Sequence, residues 1–193
     1  MVTYYSFNSV NEIDIYFMHL ICFNLQSDKM WSFSEVQSVT SDGFSTIDDI
    51  QKLQVTKKVM DETLRLEKLA AFNERQAEED IEIAGFVIPK GTQVLNALCL
   101  SLDDTNSFPN PTSFDLKNVE NVKNAGLAFS PFGFGVRKCP GYRFSNLEVA
   151  LVAMELLTRF RVSVDKSQEK IKSAHGFVTK PAREIFVKIE EHN

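Results

Sequence analysis

The chain has 193 residues, of which 44% are hydrophobic and 24% charged. This is the composition of an ordinary globular protein, and it excludes a disordered chain. A net charge of −5 argues against a nucleic-acid partner, because a protein that binds phosphates needs a basic face. The apolar stretch at residues 13–25 is interrupted by polar side chains and falls short of the roughly 20 residues that span a bilayer. The sequence therefore predicts neither a secretory signal nor a membrane anchor in this chain.

Three cysteines, Cys22, Cys99 and Cys139, form an odd, irregularly spaced set. Such a set is typical of reduced thiols rather than of a disulfide framework. Cys22 and Cys99 stand in apolar runs and are predicted to be buried small hydrophobic residues.

The character of the sequence changes near Thr46. Residues 1–44 lack a clear helical period and are predicted to be a divergent N-terminal segment, followed by the main domain at residues 45–193. Thr46 followed by Asp48 and Asp49 is typical of a helix N-cap with acidic residues in the first turn. Apolar residues then recur at roughly helical spacing, which predicts a helix that extends to about residue 69.

Short elements follow this helix. Residues 81–83 and 86–88 alternate around a turn and predict a hairpin, and residues 92–95 predict a third strand. A short helix is predicted at residues 96–102. Residues 103–131 predict an irregular but ordered loop, held to the core by the aromatic residues Phe108, Phe114 and Phe129.

The last third of the chain predicts a helix and a hairpin. Residues 141–160 are helical in pattern and apolar on more than one face, which is typical of a helix buried in a core. Residues 177–180 and 184–189, joined at Pro181, predict a final hairpin. The fold class is therefore mainly α with small β-hairpins.

The richest chemistry lies in the segment Phe132-Gly133-Phe134-Gly135-Val136-Arg137-Lys138-Cys139-Pro140-Gly141. Gly135 and Gly141 allow backbone conformations and close approaches that a Cβ would block, and Pro140 suits the first turn of the helix that follows. The N-terminus of that helix and the cation of Arg137 both favour an anionic sulfur on Cys139. Arg137 is also suited to bind a carboxylate through two hydrogen bonds.

These residues resemble the cysteine-ligand loop of cytochromes P-450, whose pattern is Phe-x-x-Gly-x-Arg-x-Cys-x-Gly. Phe132, Gly135, Arg137, Cys139 and Gly141 satisfy every fixed position, which argues against the alternative of a Gly-rich turn with an incidental cysteine. The resemblance implies that Cys139 is the axial ligand of a haem iron. It also implies that Arg137 pairs with a haem propionate and that Phe132 packs beside the sulfur.

Other motifs extend the resemblance to roughly residues 48–188. Glu62 and Arg65 match the Glu-x-x-Arg pair of the family, which forms a structural ion pair on one helix face. Arg75 stands where the family often has a second propionate-binding arginine. The sequence around these residues also resembles the divergent animal family 20 of cytochromes P-450.

Three positions depart from the family pattern. Asn118 stands where an arginine usually completes a triad with the Glu-x-x-Arg pair, and the adjacent Lys117 offers only a point charge. Lys68 stands where a proline is usual, and Ser101 stands where a histidine is frequent.

The resemblance implies the C-terminal part of the cytochrome P-450 fold and a haem-thiolate monooxygenase, which inserts an oxygen atom from O₂ into a lipophilic organic substrate. A flavoprotein reductase or a ferredoxin would supply the electrons. Lys138 and Arg143 are candidate residues of a basic docking face for this donor, with two solvated charges as the alternative. For full-length members the resemblance also implies the endoplasmic reticulum membrane.

Residues 1–44 do not resemble the long central helix that carries the acid–threonine pair of the family. We therefore expect a truncated chain that alone neither holds haem stably nor turns over substrate. Two other functions stay open: an O₂-independent haem-thiolate isomerase, and a non-catalytic remnant that binds haem or lipid. Residues 170–175 are the part that the resemblance places near a substrate pocket.

Overall fold

The computed structural model describes residues 3–7, 33–39, 46–120, 122, 125–164, 173–174, 179–182 and 185–192. The helices are α1 (Phe33–Val39), α2 (Ile47–Lys52), α3 (Gln54–Glu67), α4 (Leu98–Ser101) and α5 (Tyr142–Arg159). The strands are β1 (Thr3–Phe7), β2 (Asn73–Gln76), β3 (Ile81–Ile83), β4 (Phe86–Ile88), β5 (Gln93–Asn96), β6 (Phe160–Val164), β7 (Ser173–Ala174), β8 (Lys180–Pro181) and β9 (Ile185–Glu191). Short 3₁₀ turns lie at Leu116–Val119, Gly126–Ala128 and Gly135–Arg137.

The main core lies between α3 and α5. Buried apolar side chains of both helices meet there, namely Val59, Met60, Leu64, Val149, Ala150 and Ala153. Phe114 and Leu116 from the long loop and Phe132 from the cysteine segment pack against the same cluster. This core therefore joins the Glu-x-x-Arg helix, the loop and the cysteine segment.

The helix predicted from residue 46 to about residue 69 is interrupted at Leu53. Its start is confirmed, because Thr46 caps α2 in a capping box with Asp49. This geometry lowers the pKa of Asp49 to about 2, mainly through hydrogen bonds from Lys52 and Thr46. Leu53 leaves the helical conformation at φ −76° and ψ 76°, and its side chain is buried with Val36 and Met154.

The N-terminus of α3 is capped by a carboxylate from another helix. Leu53 makes no side-chain cap, but Glu35 of α1 accepts hydrogen bonds of 2.8 Å from the N–H groups of Val55 and Thr56 and one of 2.9 Å from the Thr56 hydroxyl. These N–H groups are donors that an α-helix leaves without intrahelical partners. Glu35, which lies in the segment predicted to be divergent, thus caps the helix that carries Glu62 and Arg65.

We expect Glu35→Gln to lower the free energy of unfolding by about 1–2 kcal/mol, since an amide places an N–H group toward two N–H donors and weakens the interaction with the helix dipole. Urea unfolding followed by circular dichroism measures the change. Gln37→Ala, at an exposed position of the same helix, is the matched control and should change stability by less than about 0.5 kcal/mol. Equal effects of the two substitutions would show that the cap contributes nothing.

The predicted final hairpin is wrong. Ile185–Glu191 (β9) pairs with β6 on one side and β1 on the other, both antiparallel, in a sheet of order β1-β9-β6. Lys180–Pro181 (β8) pairs instead with β7. The alternation in β9 indicates a strand but not its partner, and here Val187 and Val162 bury their side chains in this sheet.

The hairpin at residues 81–88 is confirmed, with Ala84 and Gly85 both at positive φ in its two-residue turn. The strand predicted at residues 92–95 is Gln93–Asn96, and it pairs with β2, a strand that the sequence analysis missed. The predicted short helix is the single turn Leu98–Ser101. Phe108, predicted to hold the long loop, is fully buried and its ring lies 6.4 Å from that of Phe129.

The prediction that the helix after residue 141 is buried nearly all round is wrong. Only one face of α5 is buried, while Phe144, Leu151 and Val152 are exposed among the described residues. Within the described ranges, no helix is both long and apolar enough to cross a bilayer. Cys99 is half-buried, and Cys22 lies outside the described residues.

Candidate functional site

The cysteine segment folds into a closed loop in front of α5. The Cys139 N–H donates to the carbonyl of Phe132 at 3.0 Å, and the Lys138 N–H donates to the carbonyl of Gly135 at 3.1 Å. Gly133 and Gly135 have φ values of +72° and +66°, a region that residues with a Cβ rarely adopt. The prediction that Gly135 allows an unusual backbone conformation is confirmed.

Two details of the predicted loop differ. Gly141 has φ −84° and is the N-cap of α5, so its conformation does not require glycine. Pro140 precedes the N-cap and therefore lies outside the first helical turn. Cys139 lies two residues before the N-cap, so in the sequence it directly precedes the helix terminus whose first N–H groups lack intrahelical partners.

Several residues close to Cys139 in the sequence have exposed side chains, and most of these are apolar. Cys139 is a free, exposed thiol. Val136 is 101% exposed, Phe144 67% and Phe134 47%, and Arg137 is exposed beside them. A Cβ added at Gly135 or Gly141 would meet no atom within 4 Å.

This arrangement fits a haem. It combines one sulfur ligand for iron, apolar side chains for the flat macrocycle, an arginine for a carboxylate, and space above the glycines. Phe132 is half-buried and packs on the α3–α5 core, so the cysteine loop is anchored to that core. The loop thus brings Phe132, Gly135, Arg137, Cys139 and Gly141 together, and their individual roles stay predictions.

Two cationic side chains lie against the ring of Tyr142, the first residue of α5. The Lys138 ammonium lies 3.6 Å from the centre of the Tyr142 ring, and the Arg143 guanidinium lies 5.6 Å from it and donates to the phenol oxygen at 2.9 Å. The pKa of Tyr142 is lowered, mainly by this hydrogen bond and further by the charges of Arg143 and Lys138. The two cations predicted as a docking face are therefore gathered around one ring.

Glu62 and Arg65 form a bidentate ion pair inside the protein. Arg65 donates to the two carboxylate oxygens of Glu62 at 2.7 and 2.9 Å, and both side chains are 0% exposed. Its other N–H groups donate to the carbonyl of Leu102 at the end of α4 and to two carbonyls of the loop, those of Pro111 and Ser113. All five guanidinium donors are therefore used.

The aromatic ring of Phe108 completes the surroundings of this ion pair, with the guanidinium of Arg65 5.4 Å from its centre. The ion pair thus fastens the loop onto α3, and Phe114 of that loop packs on the same α3–α5 core as Phe132 of the cysteine segment. Fully satisfied buried pairs of this kind position chain segments more than they add stability.

Asn118 joins the ion pair although it lacks a charge. Its amide donates to Glu62 Oε1 at 2.8 Å, while its carbonyl oxygen accepts the N–H of Asn110 at 2.9 Å. Asn118 is buried, whereas Lys117 is exposed. Asn118 itself, not Lys117, therefore occupies the position of the third triad residue.

The other two departures from the family also have structural explanations. Lys68 ends α3 with φ +48°, a value that the fixed φ of proline cannot reach, and its ammonium pairs with Asp103. The Ser101 hydroxyl, which has one proton to donate, has two carbonyl acceptors within hydrogen-bond distance, Leu98 at 2.8 Å and Ala128 of the loop at 3.1 Å.

Arg75 is exposed on β2, and its guanidinium donates to the adjacent carbonyl of Glu74 at 2.7 Å. Its role toward a propionate stays a prediction. Of residues 170–175, only Ser173 and Ala174 are described.

Sequence reasoning missed two contributors to the site, the Glu35 cap and the amide role of Asn118, because neither has a local pattern. The aromatic–cation run Lys138, Tyr142, Arg143 was visible in the sequence as an i, i+4 spacing next to the cysteine.

Comparison with known proteins agrees with this geometry. The sequence profile of the cytochrome P-450 family matches residues 33–188. Cytochrome P-450 27C1 of Aquarana catesbeiana is 33% identical over 179 residues, covering 88% of this chain and 32% of the relative. Abscisic acid 8'-hydroxylase 1 of Oryza sativa subsp. japonica is 34% identical over 123 residues, covering 64% of this chain and 26% of the relative.

The fold matches the crystal structure of the cytochrome P450DA heme domain with a TM-score of 0.84 and 23% identity, over 94% of this chain and 41% of that one. The predicted fold class, the C-terminal part of this fold, is confirmed. The chain spans about a quarter to a third of the length of the curated relatives. The resemblance to family 20 and the domain boundary near residue 45 stay predictions.

The family profile matches most of the chain, and one relative is 33% identical over 88% of it. The chain also contains the cysteine loop and the buried Glu62–Arg65 pair. The chain belongs to the cytochrome P-450 family.

Proposed function

We propose that this chain is the haem-binding C-terminal part of a haem-thiolate monooxygenase, with the Cys139 sulfur as the protein ligand of the iron. The observation that carries the proposal is the exposed Cys139 thiol, held in front of α5 by the hydrogen bond from its N–H to the Phe132 carbonyl. When bound, thiolate-ligated haem supplies O₂ activation, because the sulfur donates electron density that favours O–O cleavage.

The residues of this chain have separable tasks in the proposal. The N-terminal N–H groups of α5 stabilise a negative charge on Cys139. Exposed Phe134, Val136 and Phe144 provide apolar contact that removes the macrocycle from water. Arg137 is exposed two residues before Cys139 and would bind a propionate through two hydrogen bonds. Arg75 is the proposed second propionate ligand.

The substrate of the whole protein is proposed to be a lipophilic small molecule, oxidised with O₂. One relative is named as an abscisic acid 8'-hydroxylase, which agrees with hydroxylation as the reaction class. A flavoprotein reductase or a ferredoxin is the proposed electron donor, with Lys138 and Arg143 as its contact. For the full-length protein we propose the endoplasmic reticulum membrane as the location.

The proposal is tested by mixing the purified chain with excess haem, reducing it and adding carbon monoxide. We expect a Soret band at the position of a thiolate-ligated iron. Because the chain covers 41% of a complete heme domain, we also expect gel filtration to leave well under one haem per chain. A Soret band of nitrogen ligation would contradict the proposed ligand, and near-stoichiometric haem after gel filtration would contradict the expected weak retention.

A further inference from the structure

The buried cluster of Glu62, Arg65 and Asn118 carries no net charge. Glu62 and Arg65 are 0% exposed and Asn118 is 4% exposed, so solvent screens their charges little. One carboxylate faces one guanidinium, and the third member is a neutral amide. The remaining acceptor capacity of Glu62 Oε1 is used by two neutral donors, the Asn118 amide at 2.8 Å and the Asp115 N–H at 2.9 Å.

We propose that position 118 of this chain requires an amide, and that Asn118 is a positioning residue that fixes the loop at residues 108–119 to α3 and thereby supports the cysteine loop. This proposal depends on the proposed function in one respect only, namely the identity of the ligand that the cysteine loop binds.

The requirement for an amide follows from the hydrogen bonds on its two ends. The Asn118 Nδ2 group donates to Glu62 Oε1 at 2.8 Å and to the carbonyl of Asn110 at 3.0 Å, while Oδ1 accepts the Asn110 N–H at 2.9 Å. A guanidinium has no acceptor and a carboxylate has no donor. Arginine would therefore leave the Asn110 N–H without its partner, and aspartate would place a second negative charge against Glu62.

The path from Asn118 to the cysteine is short and consists of packed residues. Phe114 and Leu116, in the same loop, pack on the α3–α5 core. Phe132 packs on that core as well, and its carbonyl accepts the Cys139 N–H. Loosening the loop at Asn118 therefore loosens packing on the same core that supports Phe132.

The experiment compares the thermal unfolding of Asn118→Arg and Asn118→Asp with that of the unsubstituted chain, near neutral pH and at mildly acid pH. Lys117→Ala, at the exposed neighbouring position, is the matched control. We expect Asn118→Arg to lower Tm by about 4–8 °C at both pH values, because it leaves a backbone donor unpaired and adds volume. The control should shift Tm by less than about 2 °C.

Asn118→Asp shows whether position 118 must both donate and accept hydrogen bonds or needs only a side chain of this size. Near neutral pH its Tm should fall at least as far as that of Asn118→Arg, because two carboxylates share one buried site. When protonated, the introduced carboxyl group can donate to Glu62 and still accept from Asn110. The pKa of this carboxyl is thus raised in the folded state. The variant therefore regains stability as the pH falls, and loses it again as the pH rises through the raised pKa.

The charged groups that face position 118 are Glu62 and Arg65 of α3 and Asp115 of its own segment. Glu120, two residues further along the chain, pairs with Lys58 of α3. All are present in each protein compared, so the introduced carboxyl is the titratable group that distinguishes Asn118→Asp from the other chains. The deficit of Asn118→Asp must therefore shrink on acidification while that of Asn118→Arg does not.

Hydrogen exchange of the peptide at residues 132–142 tests the link to the cysteine loop without requiring haem. We expect both substitutions to increase exchange there by several-fold, and the Lys117→Ala control to leave it unchanged. Three results would overturn the proposal: an Asn118→Arg chain as stable as the original, an Asn118→Asp deficit that does not change with pH, or unchanged exchange at residues 132–142. Since none of these measurements involves haem, a failure of haem binding leaves them interpretable.

Discussion

Replacing Arg65 with alanine is expected to lower the free energy of unfolding by about 3–5 kcal/mol, since it leaves the Glu62 carboxylate buried without its cation. The substitution also removes hydrogen bonds to the carbonyl of Leu102 and to two loop carbonyls, and the contact with Phe108. Because a domain of this size has a total stability of only about 5–15 kcal/mol, the variant should be largely unfolded or loosely folded at physiological temperature. Urea unfolding, or the loss of the near-ultraviolet circular dichroism signal, measures the effect.

Lys57→Ala is the matched control for Arg65→Ala. It removes a cation from the same helix, but from a pair at the surface, in which the Lys57 side chain is 66% exposed and that of Asp61 is 17% exposed. Exposed pairs contribute about 0–1 kcal/mol. If Arg65→Ala is as mild as Lys57→Ala, the buried pair does not hold the loop in the way that its geometry indicates.

Replacing Cys139 with alanine is expected to abolish the thiolate-type Soret band of the reduced carbon-monoxide complex. The sulfur is the proposed ligand, and a methyl group cannot bind iron. The stability of the chain should hardly change, because Cys139 is exposed and its side chain packs on no described core cluster. Absorption spectra of this chain with excess haem measure the result.

Two further substitutions separate ligation from retention. Arg137→Ala should reduce the amount of haem retained while leaving the band position of the remaining haem unchanged, because it removes a carboxylate partner and not the ligand. Cys99→Ala should leave the band unaffected, because this half-buried thiol belongs to α4 and not to the cysteine loop. A thiolate-type band that persists in Cys139→Ala would show that another cysteine is the ligand.

Local patterns in the sequence predicted the parts of this protein that depend on neighbouring residues. The capping box at Thr46 and Asp49, the hairpin turn at residues 84–85 and the positive φ of Gly135 all follow from conformations that few residue types adopt. The spacing of Glu62 and Arg65 also places both side chains on one face of a helix. Each of these features lies within a few residues of the chain, and the chain's own stereochemistry restricts it.

Tertiary structure decided the features that join distant residues. Glu35 caps α3 from 20 residues away, β9 pairs with β1 rather than with the strand closest in sequence, and Asn118 reaches Glu62 across 56 residues. No periodicity in the sequence predicts such partners. Which donors lie within hydrogen-bond distance of a carboxylate or an amide depends on how distant segments pack together. The sequence alone therefore determined the cysteine loop and the Glu62–Arg65 pair, whereas packing of α3 against α5 decided which neutral or charged groups complete them.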